Sequence, residues 1–293
     1  MRVSLFGILA VIGITGLSGN SLAADAVAPE PTLINDVYLE GFADYTFLGG
    51  DFGEEDDEFL AGGAGVYWST PLSDMMSLQL DATGEVTENV GGDENDLEDT
   101  VGGAAHLSYR DPQSSLLGIF GGAQHVDNGD SNEGVTAYFV GGEAQLYLDQ
   151  STFYIQAGYL NGEKNGEDDE IFTNTYFVRG QFRHYFHENF RTALDLAYAN
   201  GRVDEEKHTE VIDWGVELDW KPEEFPVSLF ASYEGMDMDQ RPGEEDHLDE
   251  HVIKLGFRYD FGSNSIFTRD RLGAGLDTPR FGRWLGEANG PLE

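Results

Sequence analysis

The segment from Ile253 to Phe261 alternates without a break between apolar residues and polar or small ones. The apolar set is Ile253, Leu255, Phe257, Tyr259 and Phe261, and the intervening set is Lys254, Gly256, Arg258 and Asp260. Successive side chains of a β-strand point to opposite faces, so this segment predicts a strand with one apolar and one charged face. The pattern recurs along most of the chain after residue 36, as expected for a barrel with an apolar exterior and a polar lumen.

The same segment resembles the terminal-strand signal of bacterial outer-membrane β-barrels. That signal reads polar, any, Gly, any, any, aromatic, any, aromatic, and its fixed places are filled here by Lys254, Gly256, Tyr259 and Phe261. The resemblance is to the superfamily in its porin-like form. It implies a bacterial outer-membrane location, with the barrel assembly machinery, outer-membrane lipid and lipopolysaccharide as partners.

The amino end has the features of a secretory signal peptide. Met1-Arg2 is a short basic region, residues 5–17 are apolar, and Ser21-Leu22-Ala23 places small residues at a cleavage site. The apolar run is too short and wrongly flanked for a stop-transfer helix. We expect cleavage after Ala23, with a retained amino-terminal anchor as the alternative. No later segment approaches the ~18 apolar residues that predict a transmembrane helix.

Charge is spread unevenly along this chain, whose formal net charge is -39. Six acidic clusters alternate with five short turns, and this alternation predicts six loops, five turns and twelve strands. The clusters are residues 50–58, 89–99, 127–134, 161–170, 200–210 and 236–250. The expected strands are 37–49, 58–68, 76–88, 99–110, 115–126, 134–148, 152–162, 171–186, 190–200, 211–220, 226–236 and 250–261.

The predicted fold class is all-β, a transmembrane antiparallel up-and-down β-barrel of about 12 strands, with ten strands as the rival count. Short turns face the periplasm in bacterial barrels, so the acidic loops are expected to be extracellular. The expected organisation is a signal peptide (1–23), a periplasmic N-terminal segment (24–36), the barrel (37–261) and a periplasmic C-terminal tail (262–293). We expect this tail to be flexible. The alternative is that it returns into the acidic lumen as a plug carrying its arginines.

Alternation also assigns charged side chains to the lumen. Bases concentrate on strands 8, 9 and 12 and acids on strands 1, 3, 9, 10 and 11, which predicts a transverse field across a water-filled bore. The alternative is a lumen closed by salt bridges. The predicted lumen-lining bases are Arg110, Arg179, Arg183, Arg191, Lys254 and Arg258. The predicted lumen-lining acids are Glu40, Asp44, Asp81, Glu85, Glu143, Asp195, Asp213, Glu217, Asp219, Glu234 and Asp260.

A twelve-stranded barrel lies between packed eight-stranded barrels and open porins of sixteen strands. We expect a porin-like channel for passive diffusion of small hydrophilic solutes or ions. Its outer vestibule should favour cations, because a cleft lined by one sign of charge concentrates counter-ions. The competing hypothesis is a non-conducting barrel with a structural or surface-interaction role, such as adhesion.

No catalytic residue, metal site or cofactor is predicted. The chain has no cysteine and no G-x-S-x-G motif, which removes thiol chemistry and one common serine-nucleophile pattern. None of the acidic loops matches the calcium-loop spacing. Divalent cations could still bridge these loops loosely to lipopolysaccharide. The strongly acidic chain is not expected to bind nucleic acid, and its oligomeric state is not determined by these patterns.

Overall fold

The computed structural model describes residues 31–50, 58–90, 97–127, 134–164, 170–203, 207–239 and 247–289. Twelve antiparallel strands form one closed barrel in which each strand pairs with its neighbours in sequence and β1 pairs with β12. The strands are β1 (Asp36–Gly50), β2 (Glu58–Pro71), β3 (Met76–Asn89), β4 (Leu97–Asp111), β5 (Ser115–Asp127), β6 (Val135–Leu148), β7 (Ser151–Lys164), β8 (Glu170–His187), β9 (Phe190–Val203), β10 (Lys207–Trp220), β11 (Val227–Asp239) and β12 (His247–Asp260). Two helices follow, α1 (Ile266–Leu272) and α2 (Gly282–Asn289).

The predicted twelve-stranded barrel is therefore confirmed. Several strands extend up to four residues farther into the acidic clusters than predicted, as at the start of β10. Backbone pairing continues there although the outward-facing residues are no longer apolar. Asp237, for example, lies opposite Asp249 on β12. Part of each acidic cluster, and the predicted signal peptide, lie outside the described residues.

The two faces of the barrel wall differ as the alternation predicts. On β12, Leu255 is 61% exposed, whereas Lys254 is 4% exposed. Aromatic side chains at the turn end of the wall, such as Trp68 and Tyr109, also face outward, where a headgroup zone would accept their amphipathic rings. Exposed apolar surface costs roughly 25 cal/mol per Å² in water, so a belt of this extent requires lipid around it.

Closure of the sheet satisfies the remaining requirement of a membrane, because a closed barrel leaves no unpaired strand edge in the hydrocarbon. Thirteen residue pairs join β1 to β12, from Tyr38 and Asp260 at the turn end to Gly50 and Leu248 at the loop end. Within the described ranges, no helix is long and apolar enough to cross a membrane.

Glycines on the inner wall accommodate aromatic rings from neighbouring strands. The ring of Phe120 lies over Gly141, and the ring of Phe177 lies over Gly158. A Cβ atom at Gly141 would lie 2.7 Å from the Phe120 Cζ atom, and one at Gly158 would lie 2.8 Å from the Phe177 Cζ atom. The missing side chains let the rings lie flat along the wall, which narrows the lumen less than a projecting ring would.

Residues 262–289 return into the barrel, and this corrects the expectation of a flexible tail. After β12, the Lys221 Nζ atom donates to Asp260 at 2.8 Å and to the Ser263 carbonyl oxygen at 3.1 Å. The Ser265 hydroxyl then accepts from the Thr268 amide at 3.0 Å and caps α1. The chain beyond α1 runs through the lumen, and we call residues 273–289 the lumen segment. It lies there because the buried polar side chains of the inner wall need partners.

Replacing Gly122 by alanine should destabilise the barrel, because its Cβ would overlap the Gly103 carbonyl oxygen of the adjacent strand, which cannot rotate away. Overpacking of this kind costs about 1–3 kcal/mol. Gly180 is the matched control, since nothing lies within 4 Å of a Cβ placed there. Urea unfolding of both variants in detergent checks this, and equal stability of Gly122→Ala and Gly180→Ala would contradict it.

Candidate functional site

The candidate site is the lumen, where glutamines of β3, β5, β6 and β7 hold the backbone of the lumen segment. Gln79 both donates to the Leu276 carbonyl oxygen at 2.6 Å and accepts from the Leu276 amide at 3.1 Å. Gln124 similarly donates to the Pro279 carbonyl oxygen at 2.8 Å and accepts from the Phe281 amide at 2.7 Å. These contacts satisfy backbone groups that would otherwise be buried without partners.

Two further glutamines and one arginine extend this set of contacts. Gln156 donates to the Asp277 carbonyl oxygen at 2.8 Å, and Gln145 donates to the Gly275 carbonyl oxygen at 3.4 Å. Arg110, which the sequence places in the lumen, is fully buried and donates to the Gly273 carbonyl oxygen at 3.0 Å. The lumen segment is thus fixed along its length by the inner faces of β3 to β7.

Acids of the tail face the arginines of β8. Arg183 donates to the Asp270 carboxylate, and its Nη2 atom lies 3.0 Å from an Asp277 oxygen. Arg179 lies 3.3 Å from the same Asp277 oxygen and 2.6 Å from Asp195 on β9. The predicted basic wall on β8 is therefore not an open surface, because carboxylates of the tail neutralise it.

These arginines determine how the two tail carboxylates titrate. Burial alone would raise the pKa of Asp277, but the charges of Arg183 and Arg179 outweigh burial and hold that pKa well below its usual range. The pKa of Asp270 is lowered by the same balance. Because the folded-state pKa lies below the unfolded one, this stabilisation is present above about pH 4 and is lost as the pH falls through the folded-state value.

Arginines of the tail face the acidic side of the barrel. The partners are Asp219 (3.0 Å) and Asp260 (2.9 Å) for Arg269, Glu40 (3.3 Å) for Arg280, and Glu234 (3.0 Å) and Glu250 (2.8 Å) for Arg283. The tail therefore presents acids to the basic wall and bases to the acidic wall. Its near-neutral composition results from this division between two opposite surfaces.

The loop half of the lumen segment packs through apolar side chains. Phe281, Trp284 and Leu285 are 1%, 3% and 0% exposed and belong to the largest buried apolar cluster of the barrel. Phe281 contacts the rings of Phe139 and Phe177 edge-on, with centroids 5.2 and 5.0 Å away. Hydrogen bonds and ion pairs hold the segment at the turn half, and apolar packing holds it at the loop half.

The other predicted lumen residues also lie inside the barrel, and most pair across the wall. Arg258 lies 2.7 Å from Glu40, 2.8 Å from Glu217 and 2.7 Å from Asp219. Lys254 lies 3.3 Å from Asp44. The remaining contacts are those of Arg191 with Glu217, of Asp260 with Lys221, of His106 with Asp81 and Glu143, of Glu234 with Arg283, and of Asp213 with Trp284.

Glu85 is the exception among the predicted acids. In the described part of the chain its carboxylate forms no ion pair and accepts no hydrogen bond, although it lines a cavity. Glu98 and Glu250, which the sequence assigns to acidic loops, line the same cavity. The alternation of β12 predicts that Glu250 faces inward, because it lies two and four positions before Val252 and Lys254. The sequence around Arg280 and Arg283 has no such period, so it does not predict their positions.

This cavity has a volume of about 270 Å³ and lies between the lumen segment and the inner wall. Six residues of β1 line it at every second position, namely Tyr38, Glu40, Phe42, Asp44, Thr46 and Leu48. Ten residues of strand correspond to roughly 33 Å, the thickness of a hydrocarbon core. We call this cavity the β1 passage. Near the turn end, the rings of Tyr38 and Tyr67 stack on each other in its wall, with centroids 4.3 Å apart.

Comparison with solved structures agrees with this architecture. The chain is similar to the COG4313 outer membrane channel from Pseudomonas putida F1, with a TM-score of 0.57 and 11% identity over 82% of this chain and 100% of that one. It is also similar to the beta domain of the Bordetella autotransporter BrkA, with a TM-score of 0.50 and 11% identity over 78% of this chain and 100% of that one. No protein-family model and no curated protein sequence matches the chain.

The fold is that of a bacterial outer-membrane β-barrel. The closed sheet and the apolar belt suit the chain to an outer membrane, and the likenesses to solved structures concern its fold. The role of Lys254, Gly256, Tyr259 and Phe261 as an assembly signal stays a prediction. Those residues occupy β12 and the position directly after it.

A disulfide between Thr100→Cys and Gly282→Cys should form spontaneously, because a Cβ at Gly282 would lie 3.7 Å from the Thr100 Cβ atom, within the usual disulfide range of about 3.5–4.5 Å. The chain has no native cysteine to compete. Gel mobility with and without reductant measures the cross-link. Gly180→Cys with Gly282→Cys is the control pair, since Gly180 faces outward, and cross-linking no better than this control would show that the tail lies elsewhere.

Replacing Arg183 by glutamine should cost about 3–5 kcal/mol, because it removes the ion-pair partner of the buried Asp270 carboxylate and leaves Asp277 with Arg179 alone. Arg202→Gln is the control, since this arginine is exposed on β9. The free energy of unfolding in urea gives the first readout, and the yield of the 100–282 cross-link gives the second. Unchanged values in both would remove the proposed anchoring role of Arg183.

Proposed function

We propose that this protein is a channel for passive diffusion of small ions and hydrophilic solutes, and that they move along the β1 passage beside the lumen segment. One observation carries the proposal: every inward-facing residue of β1 from Tyr38 to Leu48 lines a single cavity. A plug that filled the lumen would leave separate small voids instead. The passage is narrow, so single-channel conductance should be small compared with an open porin.

Cation preference is part of this proposal. Among the described residues, eleven carboxylates and eight basic side chains line the passage. Most of these bases are held in ion pairs, while Glu85 and Glu98 are not. An excess of negative charge in a low-dielectric cleft raises the local concentration of cations. The acidic loops would add to this effect, and their contact with lipopolysaccharide through divalent cations remains a proposal of the same kind.

A second candidate function is a non-conducting structural barrel. The lumen segment favours it, because its glutamine contacts and ion pairs occupy the centre of the bore from β3 to β8. The two candidates differ in one respect. In the channel, the space beside the segment conducts, whereas in the structural barrel no ion crosses unless the segment leaves.

The disulfide variant Thr100→Cys/Gly282→Cys separates these candidates in planar bilayers. We expect the oxidised form, with the segment locked in place, to conduct as well as the wild type. Conductance that appears only after reduction would mean that solutes need the segment to leave. Absence of conductance in both states would favour the structural barrel. Heat-modifiable gel migration would show that the protein tested is folded.

Reversal potentials across a potassium chloride gradient test the selectivity. We expect cation preference at low salt, and we expect it to weaken as ionic strength rises, because charges are screened over ~10 Å at 0.1 M. Glu85→Gln/Glu98→Gln should lower the preference, and Glu223→Gln, at an exposed turn position outside both the passage and the acidic clusters, should leave it unchanged. An anion-selective wild type would reject this part of the proposal.

A further inference from the structure

Arg280 places a guanidinium group in the β1 passage, and its partner Glu40 neutralises this charge only in part. Its side chain is 48% exposed, whereas the side chains of Arg258 and Arg269 in the same passage are 7% and 5% exposed. Within the described part of the chain, its one ion pair is a 3.3 Å contact with Glu40, whose other oxygen accepts from Arg258 at 2.7 Å. A guanidinium has five N–H donors, so Arg280 keeps capacity for an anionic group of a solute.

Glu85 and Glu98 bring carboxyl groups into the same passage from the barrel wall. Across the described residues, neither carboxylate pairs with a base or accepts a hydrogen bond, and both line the cavity. Glu98 also lies against the lumen segment, since a Cβ at Gly286 would approach its Oε1 atom to 3.0 Å. These acids retain the lone pairs that a solute ammonium group needs.

Strand register fixes how these charges are arranged. Glu85 lies opposite Gly63, and Gly63 lies opposite Phe42 on β1. Glu40, the partner of Arg280, precedes Phe42 by one inward-facing position. Two strand spacings separate β3 from β1, which is roughly 10 Å. Both Lys254 and, more weakly, Arg280 act electrostatically on the Glu85 carboxyl group. The two unused charges therefore face one space at neighbouring levels of the barrel.

The ring of Phe42 lies on the wall between these charges, and a larger apolar surface lies beyond them toward the loop end. The ring of Phe42 covers Gly63, directly beside Glu85. Phe59 and Ala61 of β2 belong to the larger surface, and Leu48 and Val252 join it. A solute that spans from Arg280 to Glu85 would lay its middle against the Phe42 ring, so the lining favours a short apolar spacer.

We infer that the β1 passage contains a binding site for small zwitterions whose ammonium and carboxylate groups are separated by a short apolar chain. The carboxylate binds Arg280, and the ammonium group binds Glu85 with Glu98 beside it. A solute with only one of these groups would leave one charge of the site unpaired. The inference rests on the proposed channel and names the class of solute that the channel selects.

Block of single-channel current by three matched compounds tests the site. The probe is 4-aminobutanoate, and the controls are propan-1-amine, which lacks the carboxylate, and butanoate, which lacks the ammonium group. We expect 4-aminobutanoate to reach half-block at a concentration about tenfold lower than either control, a difference of about 1.4 kcal/mol. Equal half-block concentrations for all three compounds would overturn the inference.

Variants assign each charge of the site separately. Arg280→Gln should remove the advantage of 4-aminobutanoate over propan-1-amine, and Glu85→Gln/Glu98→Gln should remove its advantage over butanoate. Arg202→Gln, at an exposed position outside the passage, should keep the wild-type order. If both site variants also keep that order, the compounds bind elsewhere and the inference is rejected.

Calorimetric titration of the folded full chain in detergent separates this site from the channel itself. Preferential binding of 4-aminobutanoate to a chain that does not conduct would keep the site and reject the proposed function. Conduction without preferential binding or block would keep the channel and reject the site. Arg280→Gln should abolish the calorimetric preference in the same way as it abolishes the preference in the current.

Discussion

The pairing of β1 with β12 is the interaction on which the rest of this structure depends. It closes the sheet, so that no backbone donor or acceptor faces lipid unpaired, and it is the reason that strands of modest hydropathy can span a membrane. Closure also creates an interior. Once the wall turns its apolar face outward, the opposite face is lined by carboxylates, arginines and glutamines that leave water and require partners within the barrel.

The tail provides partners for these buried polar side chains in two ways. Its backbone takes the hydrogen bonds of Gln79 and Gln124, and its charges divide by sign, with Asp270 and Asp277 toward β8 and the arginines toward the acidic wall. A buried ion pair contributes little when it replaces a good apolar contact, but removing one partner is costly. The tail is therefore held most firmly where its removal would leave several charges unpaired at once.

The position of the tail also shapes what remains of the bore. The open volume lies between the tail and the rest of the wall, where each inward-facing residue of β1 from Tyr38 to Leu48 and residues of β8 to β12 have access to it. The charges that line the lumen therefore differ from the two opposed walls that the sequence predicts. The arginines of β8 are neutralised, and Arg280 of the tail replaces them as the exposed base opposite the acids. Transport through such a space would depend on the tail as much as on the wall.

Alternation along Ile253 to Phe261, repeated through the chain, determined the fold, because a period of two in a closed antiparallel sheet leaves one arrangement with an apolar exterior. It also placed Arg183, Glu40 and Glu85 on the inner wall, since facing depends on parity alone. Pairing depends on distance, and distance between strands far apart in sequence appears only in the closed barrel. The tail has no periodic pattern, so its local sequence fitted a flexible peptide as well as a plug. Only the tertiary structure decided between them, because the partners of Asp270, Arg280 and Trp284 lie on strands 71 to 240 residues earlier.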